Sequence, residues 1–435
     1  MDSDSVVWKL LFIGVISVLM LIPLKLIEKV IEQRDKRRTK TEREITAKWG
    51  QSQTINGPIL HVPYVTENND SAQSSPTQYA RFLPHNLSVT GTVKPDIRYR
   101  SIYEVVLYHA DLTLRAEFEP LQFDQVNVPR DNIRWGQAFV SVGLSDLKGI
   151  RQEVKLNWNG ETVPFEPIPR SYGFFKQGLR ASLPTTANWN PEEKQSVTFN
   201  LKLNGNEGIK FTPTGKNTHV KLKSSWPHPS FQGTFLPEKR QISDEGFSAR
   251  WNVFYLNRNF PQQWINEEFS ASELQKSSFG VNLYFPVDTY QQALRSTKYG
   301  LMFIALTFVT FFLFEILSRI SVHAVEYLLV GFAVCLFYLL LISLAELIGF
   351  GIAYFLASFA TILLITCYSS SILGARNSAL IVGGLLTGLY SYLYVLLQVE
   401  MYALLMGSIG LFLILSVIMY LTRNVDWYDL RTEDE

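Results

Sequence analysis

The sequence predicts a membrane protein in three parts: an N-terminal anchor helix, a large antiparallel, sandwich-like β-rich domain and a C-terminal bundle of five transmembrane helices. Three observations predict it. Leu10 to Leu24 is apolar, residues 25–298 hold no membrane-length apolar run, and residues 300–421 are apolar almost throughout. A hydrocarbon core of about 30 Å needs about 20 apolar residues in a helix, so only the two ends of the chain qualify.

The first apolar segment is predicted to be a retained anchor (residues 1–26) rather than a cleaved signal peptide. Its leader carries Asp2 and Asp4 but no basic residue before Lys9, and no small-x-small cleavage site follows. Leu24, Ile27 and Ile31 then continue at helical spacing, which predicts an amphipathic basic stalk over residues 27–49. The stalk is either solvated or in contact with anionic head groups, and its interleaved acidic residues favour the first alternative.

Charges and small polar clusters divide the apolar C-terminal region (residues 299–421). They predict helices near 299–317, 326–345, 347–368, 378–398 and 401–421, followed by a tail over residues 422–435.

The charges in the connections predict the orientation. One side carries Arg319, Arg376, Arg423 and Arg431, whereas the other carries Glu346 and Glu400 and no basic residue. Positive residues in short loops mark the cytoplasmic side, so both termini are predicted to be cytoplasmic and residues 27–298 periplasmic.

One stretch opposes this orientation. The segment from Lys25 to Lys48 holds nine Lys or Arg against five Asp or Glu, and such charges normally favour the cytoplasm. The domain that follows is long, and long domains translocate largely regardless of charge.

The pattern of the polar domain (residues 50–298) predicts many short strands, which form either one sandwich or two subdomains. Apolar residues alternate with polar ones over 111–118, 197–203 and 249–255, which is the period of a half-buried strand. Asn159-Gly160 predicts a two-residue hairpin turn. Asn204-Gly205 and Thr214-Gly215 predict two further turns, and the polar segment Glu67–Thr77 predicts a mobile loop.

Composition excludes several classes of function. The net charge of +1 gives no reason to expect a nucleic-acid partner, and the only cysteines, Cys335 and Cys367, lie in the apolar region. The histidines show no metal-ligand spacing, and nucleophile-elbow, Walker A and dinucleotide-binding motifs are missing from the sequence. The sequence therefore predicts no metal and no cofactor, and it favours a protein that is not an enzyme.

The candidate ligand-binding segment is Ser224–Gly233. Two prolines stiffen the backbone around His228, so Trp226, His228, Ser230 and Phe231 could be presented to a ligand. The alternative, which is favoured, is a connecting loop whose aromatic residues cap the core.

Among the helices, Glu315 is the candidate polar residue. Arg319 follows four residues later, the spacing of a local ion pair at the membrane interface, and the sequence shows no deeply buried charge. Gly384 and Gly388 form a small-xxx-small face that predicts helix packing.

The chain resembles the bacterial CreD family of inner-membrane proteins over almost its whole length. The resemblance is carried by several blocks: Ile45–Gly50, Gly57–Leu60, Val62–Tyr64, Ser101–Val105, Ser224–Gly233, Phe279–Val281, Pro286–Tyr290, Arg295–Gly300 and the helix ending at Glu315. It implies a Gram-negative inner-membrane protein with a periplasmic domain, connected with envelope integrity, with cell-wall-active stress and with colicin tolerance. The resemblance assigns no catalytic or cofactor-binding role to any residue of this chain.

Three functions follow as hypotheses. The first is a non-enzymatic protein in the phospholipid bilayer whose periplasmic domain binds or senses an envelope component (peptidoglycan, lipid or protein). The second is transport or lipid handling by the bundle, with a role for Glu315. The third is an envelope enzyme with His228 as acid or base, which the missing motifs disfavour.

Overall fold

The computed structural model describes residues 3–65, 77–100, 102–126, 128–169, 174–183, 190–266, 268–283, 289–318, 322–372, 376–399 and 402–423. It divides into two compact units: a helical unit of residues 1–39 and 287–435, and a β-rich unit of residues 40–286. The sequence places boundaries at residues 26, 49 and 298 instead. The predicted mobile loop lies outside the described residues except for Thr77.

Within these described ranges the chain forms nine helices: α1 Ser3–Leu19, α2 Leu21–Trp49, α3 Ala271–Lys276, α4 Thr289–Lys298, α5 Gly300–Ser318, α6 Ala324–Ile348, α7 Phe350–Ile372, α8 Arg376–Gln398 and α9 Ala403–Thr422. The five predicted C-terminal helices correspond to α5–α9 within a few residues. The basic segment after the anchor is helical to Trp49. Pro23 cannot donate a hydrogen bond to the Leu19 carbonyl, which explains the interruption between α1 and α2.

By length and apolar composition, four stretches of the described helices are long enough to cross a membrane: Trp8–Trp49, α6, α7 and α8. Helices α4 and α5 bend by 47° at their junction and make a fifth if they form one span. The apolar stretch of α9, Leu405–Tyr420, is shorter. The protein is therefore built as a multi-pass membrane protein, and the sequence-based count of six crossings stays a prediction.

The β-rich unit contains seventeen strands within the described ranges: β1 Gln53–Tyr64, β2 Gln78–Phe82, β3 Asn86–Arg100, β4 Tyr103–Phe118, β5 Phe139–Leu144, β6 Lys155–Trp158, β7 Glu161–Pro164, β8 Glu166–Pro167, β9 Gly178–Ser182, β10 Gln195–Asn206, β11 Gly208–Phe211, β12 Asn217–Ser224, β13 Pro229–Gly233, β14 Lys239–Ser243, β15 Gly246–Phe254, β16 Gln263–Ile265 and β17 Phe279–Leu283.

These strands form two sheets. One runs β13-β17-β11-β1-β5-β9-β8, with β2 bonded to β1 and β16 to β2, and the other runs β14-β15-β12-β3-β4-β10-β6-β7. The predicted β-rich, sandwich-like fold is confirmed, but β1 pairs with β11 and β3 with β12 in parallel, so both sheets are mixed. Parallel pairing requires a long connection, and alternation within one strand carries no information about it.

The alternating residues lie where their pattern indicates. Leu112, Leu114 and Ala116 of β4 and Phe199 and Leu201 of β10 are buried in one hydrophobic core that takes side chains from both sheets. Burial of the same face on neighbouring strands fixes their register, since a slip of one residue would turn every one of these side chains to solvent.

The predicted turns are only partly correct. Asn159 and Gly160 have φ values of 47° and 96° and connect β6 to β7. Gly205, by contrast, lies inside β10, and the chain turns at Glu207, where φ is 54°. A Cβ at Gly205 would lie 2.3 Å from the Tyr108 hydroxyl oxygen, so this glycine serves close packing.

The predicted packing role of Gly384 and Gly388 is wrong for the described helices. A Cβ built at either residue would meet no atom within 4 Å. The neighbouring Gly383 makes the close contact instead, since its Cβ would lie 2.7 Å from Thr366 Oγ1 of α7.

Candidate functional site

The predicted ligand-binding segment places its two aromatic rings against protein. Trp226 is buried, and its indole nitrogen donates a 3.1 Å hydrogen bond to the carbonyl of His228. The Phe231 ring lies 5.8 Å from that of Phe247 and 5.7 Å from that of Trp251. The aromatics thus have the packing role that sequence analysis gave as the alternative.

The polar residues of this segment lie apart from the core. His228 is exposed, whereas Ser230 is half-buried on the edge strand β13 and accepts a 3.3 Å hydrogen bond from Gln232 Nε2. The described geometry does not gather Trp226, His228, Ser230 and Phe231 around one cavity. Ligand binding by this segment stays a prediction.

Among the described residues of the helical unit, Glu315 is the most deeply buried charged side chain. Its side chain is 0% exposed and accepts a hydrogen bond and ion pair from Lys9 Nζ of α1. The Val322 backbone N–H and the Tyr327 hydroxyl also donate to the carboxylate, each at 3.2 Å. The carboxylate therefore has three donors, which is what a buried charge requires.

This arrangement corrects the sequence analysis, which found no deeply buried charge. The partner predicted for Glu315, Arg319, lies outside the described residues. Lys9 was missed as a partner, although one signal was present. It is the only basic residue before Lys25, and it stands at the start of an otherwise apolar helix.

An apolar pocket of about 440 Å³ adjoins this ion pair. It is lined by residues of α1, by the first turn of α6 and by Val322 just before it: Trp8, Lys9, Leu11, Phe12, Ile13, Val15, Val322, Ala324 and Tyr327. Chemically, the site can hold an apolar group beside a fixed carboxylate and a partly exposed ammonium.

A second polar cluster lies at the other end of α6. Glu346 accepts a 2.9 Å hydrogen bond from the Tyr290 hydroxyl and pairs with Arg34 Nη1 at 3.3 Å. The Arg38 guanidinium carbon lies 5.1 Å from the centre of the Tyr290 ring. The basic segment of α2 thus contacts α4 and α6 through named pairs.

The spacing of these clusters matches a bilayer. Tyr327 and Glu346 are nineteen residues apart on α6, which is about 28 Å at a rise of 1.5 Å per residue. The hydrocarbon core is about 30 Å thick. The charged groups therefore lie at the two ends of an apolar layer.

In the described part of the β-rich unit, a histidine and a serine form a buried contact. His61 Nε2 lies 2.7 Å from Ser141 Oγ, and the imidazole stacks on Phe139 with 4.6 Å between ring centres. Burial, and secondarily the charge of Arg81, lower the pKa of His61 well below 6.5. A nucleophile and base within hydrogen-bond reach can support covalent catalysis, but here both side chains are buried in the core.

The same unit exposes an apolar run at the end of β15. Phe254, Tyr255 and Leu256 follow one another, and Leu256 is 78% exposed. The Lys216 ammonium lies 5.2 Å from the centre of the Tyr255 ring. Among the described residues, no group of three or more His, Cys, Asp or Glu side chains is placed to hold a metal ion.

A helical unit with charged clusters at both ends of its apolar helices, joined to a large β-rich unit, defines a multi-pass membrane protein. The family model described as "Inner membrane protein CreD" matches residues 5–428. The chain is similar to the inner membrane protein CreD of Escherichia coli strain K12, with 34% identity over 98% of this chain and 95% of that protein. The chain belongs to the CreD family of inner-membrane proteins.

Proposed function

We propose that this protein supports the integrity of the bacterial envelope, or its response to envelope stress, through a β-rich unit that binds or senses an envelope component. The observation that carries the proposal is the exposed run Phe254–Leu256. Contiguous exposed apolar side chains on a soluble surface are costly and mark interaction sites. Peptidoglycan, lipid and protein are the candidate components.

The chemistry of the run suits such ligands. Aromatic side chains offer large contact area with little loss of conformational entropy, and the nearby Lys216 adds a positive charge. The backbone of the run is held in place, because Tyr255 N–H donates a 2.8 Å hydrogen bond to the Lys216 carbonyl. The surface is therefore presented by fixed backbone at the end of a strand.

Complementation tests this function. A strain without the protein is supplied with the wild type or with the triple variant Phe254→Ser, Tyr255→Ser and Leu256→Ser, and its survival under a cell-wall-active antibiotic is measured. We expect the triple variant to lose protection. The matched control is Ile97→Ser with Tyr99→Ser, which removes exposed apolar residues from β3 instead. Full protection by the triple variant at normal protein level contradicts the proposal.

The proposed orientation places both termini in the cytoplasm and residues 27–298 in the periplasm. Arg376 and Arg423, which begin α8 and follow α9, support it by the positive-inside rule. The basic residues after the anchor helix argue for a cytoplasmic location, but several of them are paired with acidic side chains, which weakens that argument. Within α2, Lys25 pairs with Glu28 and Arg38 with Asp35, in addition to the contact of Arg34 with Glu346.

Thiol labelling tests the orientation. In a protein without Cys335 and Cys367, a cysteine replaces the exposed Glu161 of β7, and intact cells receive a membrane-impermeant maleimide. We expect labelling before lysis. A cysteine at Arg423 is the matched control and is expected to react only after lysis. The reverse pattern would place the β-rich unit in the cytoplasm.

A second candidate function is transport or lipid handling by the helices, and the buried Glu315–Lys9 pair favours it. Ionisable groups inside membrane proteins commonly mark substrate or proton pathways. The variant Glu315→Gln keeps the size and shape of the side chain but removes its charge and one of its two acceptor oxygens. Normal assembly and protection by this variant would eliminate this candidate and leave the first one intact.

A further inference from the structure

Helices α5, α8 and α9 surround an apolar cavity of about 680 Å³, which is separate from the pocket beside Glu315. Its walls include Leu313 and Phe314 of α5, Gly384 and Gly388 of α8, and Ile414 and Ile418 of α9. Cavities of roughly 300–1,000 Å³ are typical of sites for small molecules.

Near its own beginning, α9 contacts α8 closely. There the Tyr392 hydroxyl donates to the Met406 carbonyl, and Gly410 lies against the Tyr392 ring. Further along α9, Leu413 and Val417 are exposed. The glycine face of α8 lies opposite this part of α9, so neither helix supplies side chains that fill the space.

The environment of the helices determines what fills such a space. Water is a poor occupant, because walls made mainly of apolar side chains and glycine offer it few hydrogen-bond partners. Acyl chains surround a membrane-spanning bundle and match an apolar wall.

Basic residues lie beyond one end of the cavity. Ile381 is the first residue of α8 on the cavity wall and follows Arg376 by five residues, while Ile418 of α9 precedes Arg423 by five. At 1.5 Å per residue, each arginine is about 7.5 Å beyond the wall along its helix. Arg376 and Arg423 are both exposed, and the Arg423 guanidinium carbon lies 4.1 Å from the centre of the Tyr420 ring.

We propose that this cavity binds one anionic phospholipid of the bilayer. An acyl chain of the lipid lies in the cavity, and its phosphate group binds Arg376 and Arg423. The guanidinium group binds phosphate oxygens through two parallel hydrogen bonds and is weakly hydrated, which suits it to this role at a membrane surface. The pocket beside Glu315 is a poorer site for an anionic lipid, because the ammonium of Lys9 there is already paired with the Glu315 carboxylate. The proposal rests on the membrane location of the family and is independent of what the β-rich unit binds.

Native mass spectrometry of the full-length protein in detergent tests the proposal. The protein receives equal amounts of phosphatidylglycerol and phosphatidylethanolamine with identical acyl chains. We expect the wild type to retain one phosphatidylglycerol. Gly388→Leu places a side chain in the cavity, and we expect retention to fall about tenfold, which corresponds to about 1.4 kcal/mol of binding free energy.

Gly14→Leu is the matched control. Gly14 also lies on an apolar helix with no atom within 4 Å of a built Cβ, but it is not part of the cavity wall. We expect it to retain lipid like the wild type. Leu413→Trp fills the cavity from α9 and keeps the test decisive if Gly388→Leu fails to fold. Wild-type retention by a folded cavity-filling variant overturns the proposal.

The head-group contact has its own test. Replacing Arg376 and Arg423 by Gln is expected to abolish the preference for phosphatidylglycerol over phosphatidylethanolamine while a lipid is still retained. An unchanged preference overturns the assignment of the phosphate to these arginines. A wild-type dimer that carries no lipid and dissociates in Gly388→Leu would show that a second copy occupies the cavity, and it would also overturn the proposal.

Discussion

The His61 imidazole and the Ser141 hydroxyl are hydrogen-bonded across neighbouring strands β1 and β5, in the core of the β-rich unit. Both side chains are almost fully buried, and the imidazole is also stacked on Phe139. The pair therefore satisfies polar groups in the core, and it keeps a titratable group where solvent cannot stabilise its charge.

Acid is expected to destabilise the β-rich unit through His61. Its pKa in the fold is well below 6.5, so below about pH 6.5 the unfolded chain binds a proton that the folded chain does not. The contribution of His61 to the free energy of unfolding is therefore fully present above that pH. As the pH decreases below it, the free energy of unfolding falls by up to about 1.4 kcal/mol per pH unit. Urea unfolding of the full-length protein between pH 7.5 and 5, followed by the fluorescence of buried tryptophans, measures this effect.

A histidine variant separates this effect from general acid sensitivity. His61→Gln can still hydrogen-bond to Ser141 but does not titrate, so we expect a flatter pH dependence. His228→Gln removes an exposed histidine and should leave the dependence as in the wild type. If the free energy of unfolding depended on pH equally steeply in the wild type and in His61→Gln, the prediction would be refuted.

Removing one partner of the Lys9–Glu315 pair should lower the stability of the helical unit more than removing both partners. Lys9→Met leaves a buried carboxylate without its cation and should destabilise the helical unit by about 3 kcal/mol. The double variant Lys9→Met with Glu315→Gln should recover part of that loss. Thermal unfolding in detergent micelles measures both. Lys25→Met, at an exposed pair with Glu28, is the control and should have no measurable effect.

Adjacent glycines of α8 should respond oppositely to alanine. Gly383→Ala forces its Cβ to within 2.7 Å of Thr366 Oγ1 and should cost roughly 1 to 3 kcal/mol. Gly384→Ala meets open space and should be neutral or stabilising by up to about 1 kcal/mol, because alanine favours the helix. The same unfolding measurement compares them, and equal losses would contradict the described packing of α7 on α8.

The hydrogen bond between Tyr290 and Glu346 should stabilise the contact of α4 with α6. Tyr290→Phe keeps the ring under Arg38 but removes the hydroxyl, and we expect a loss of about 1 kcal/mol. Tyr402→Phe removes an exposed hydroxyl and serves as the control. An unchanged unfolding temperature for Tyr290→Phe would show that the bond contributes nothing net.

The elements of this fold could be predicted because their determinants are local. Long apolar runs define α5 to α9, and alternation defines β4 and β10. The Asn159-Gly160 turn needs only two residues that adopt positive φ. The same local reasoning failed at Gly205, where the reason for a glycine is the ring of Tyr108 on a neighbouring strand.

The polar sites depend on contacts that no local pattern contains. Sequence spacing suggested Arg319, which lies outside the described residues, and gave no indication of Lys9, a partner 306 residues away from Glu315. The parallel pairs β1–β11 and β3–β12, and the contact of Arg34 with Glu346, likewise join distant parts of the chain. Only the charge of Lys9 on an apolar helix hinted at such a partner.

The separation of Lys9 from Glu315 also sets an order of events during synthesis. A ribosome that adds about 5–20 residues per second needs about 15 to 60 s to travel the 306 residues between them. For that interval Glu315 has not been synthesised, so the lysine of the nascent anchor lacks this partner while the complete β-rich unit emerges. The helical unit, which begins the chain, is therefore the last to be completed.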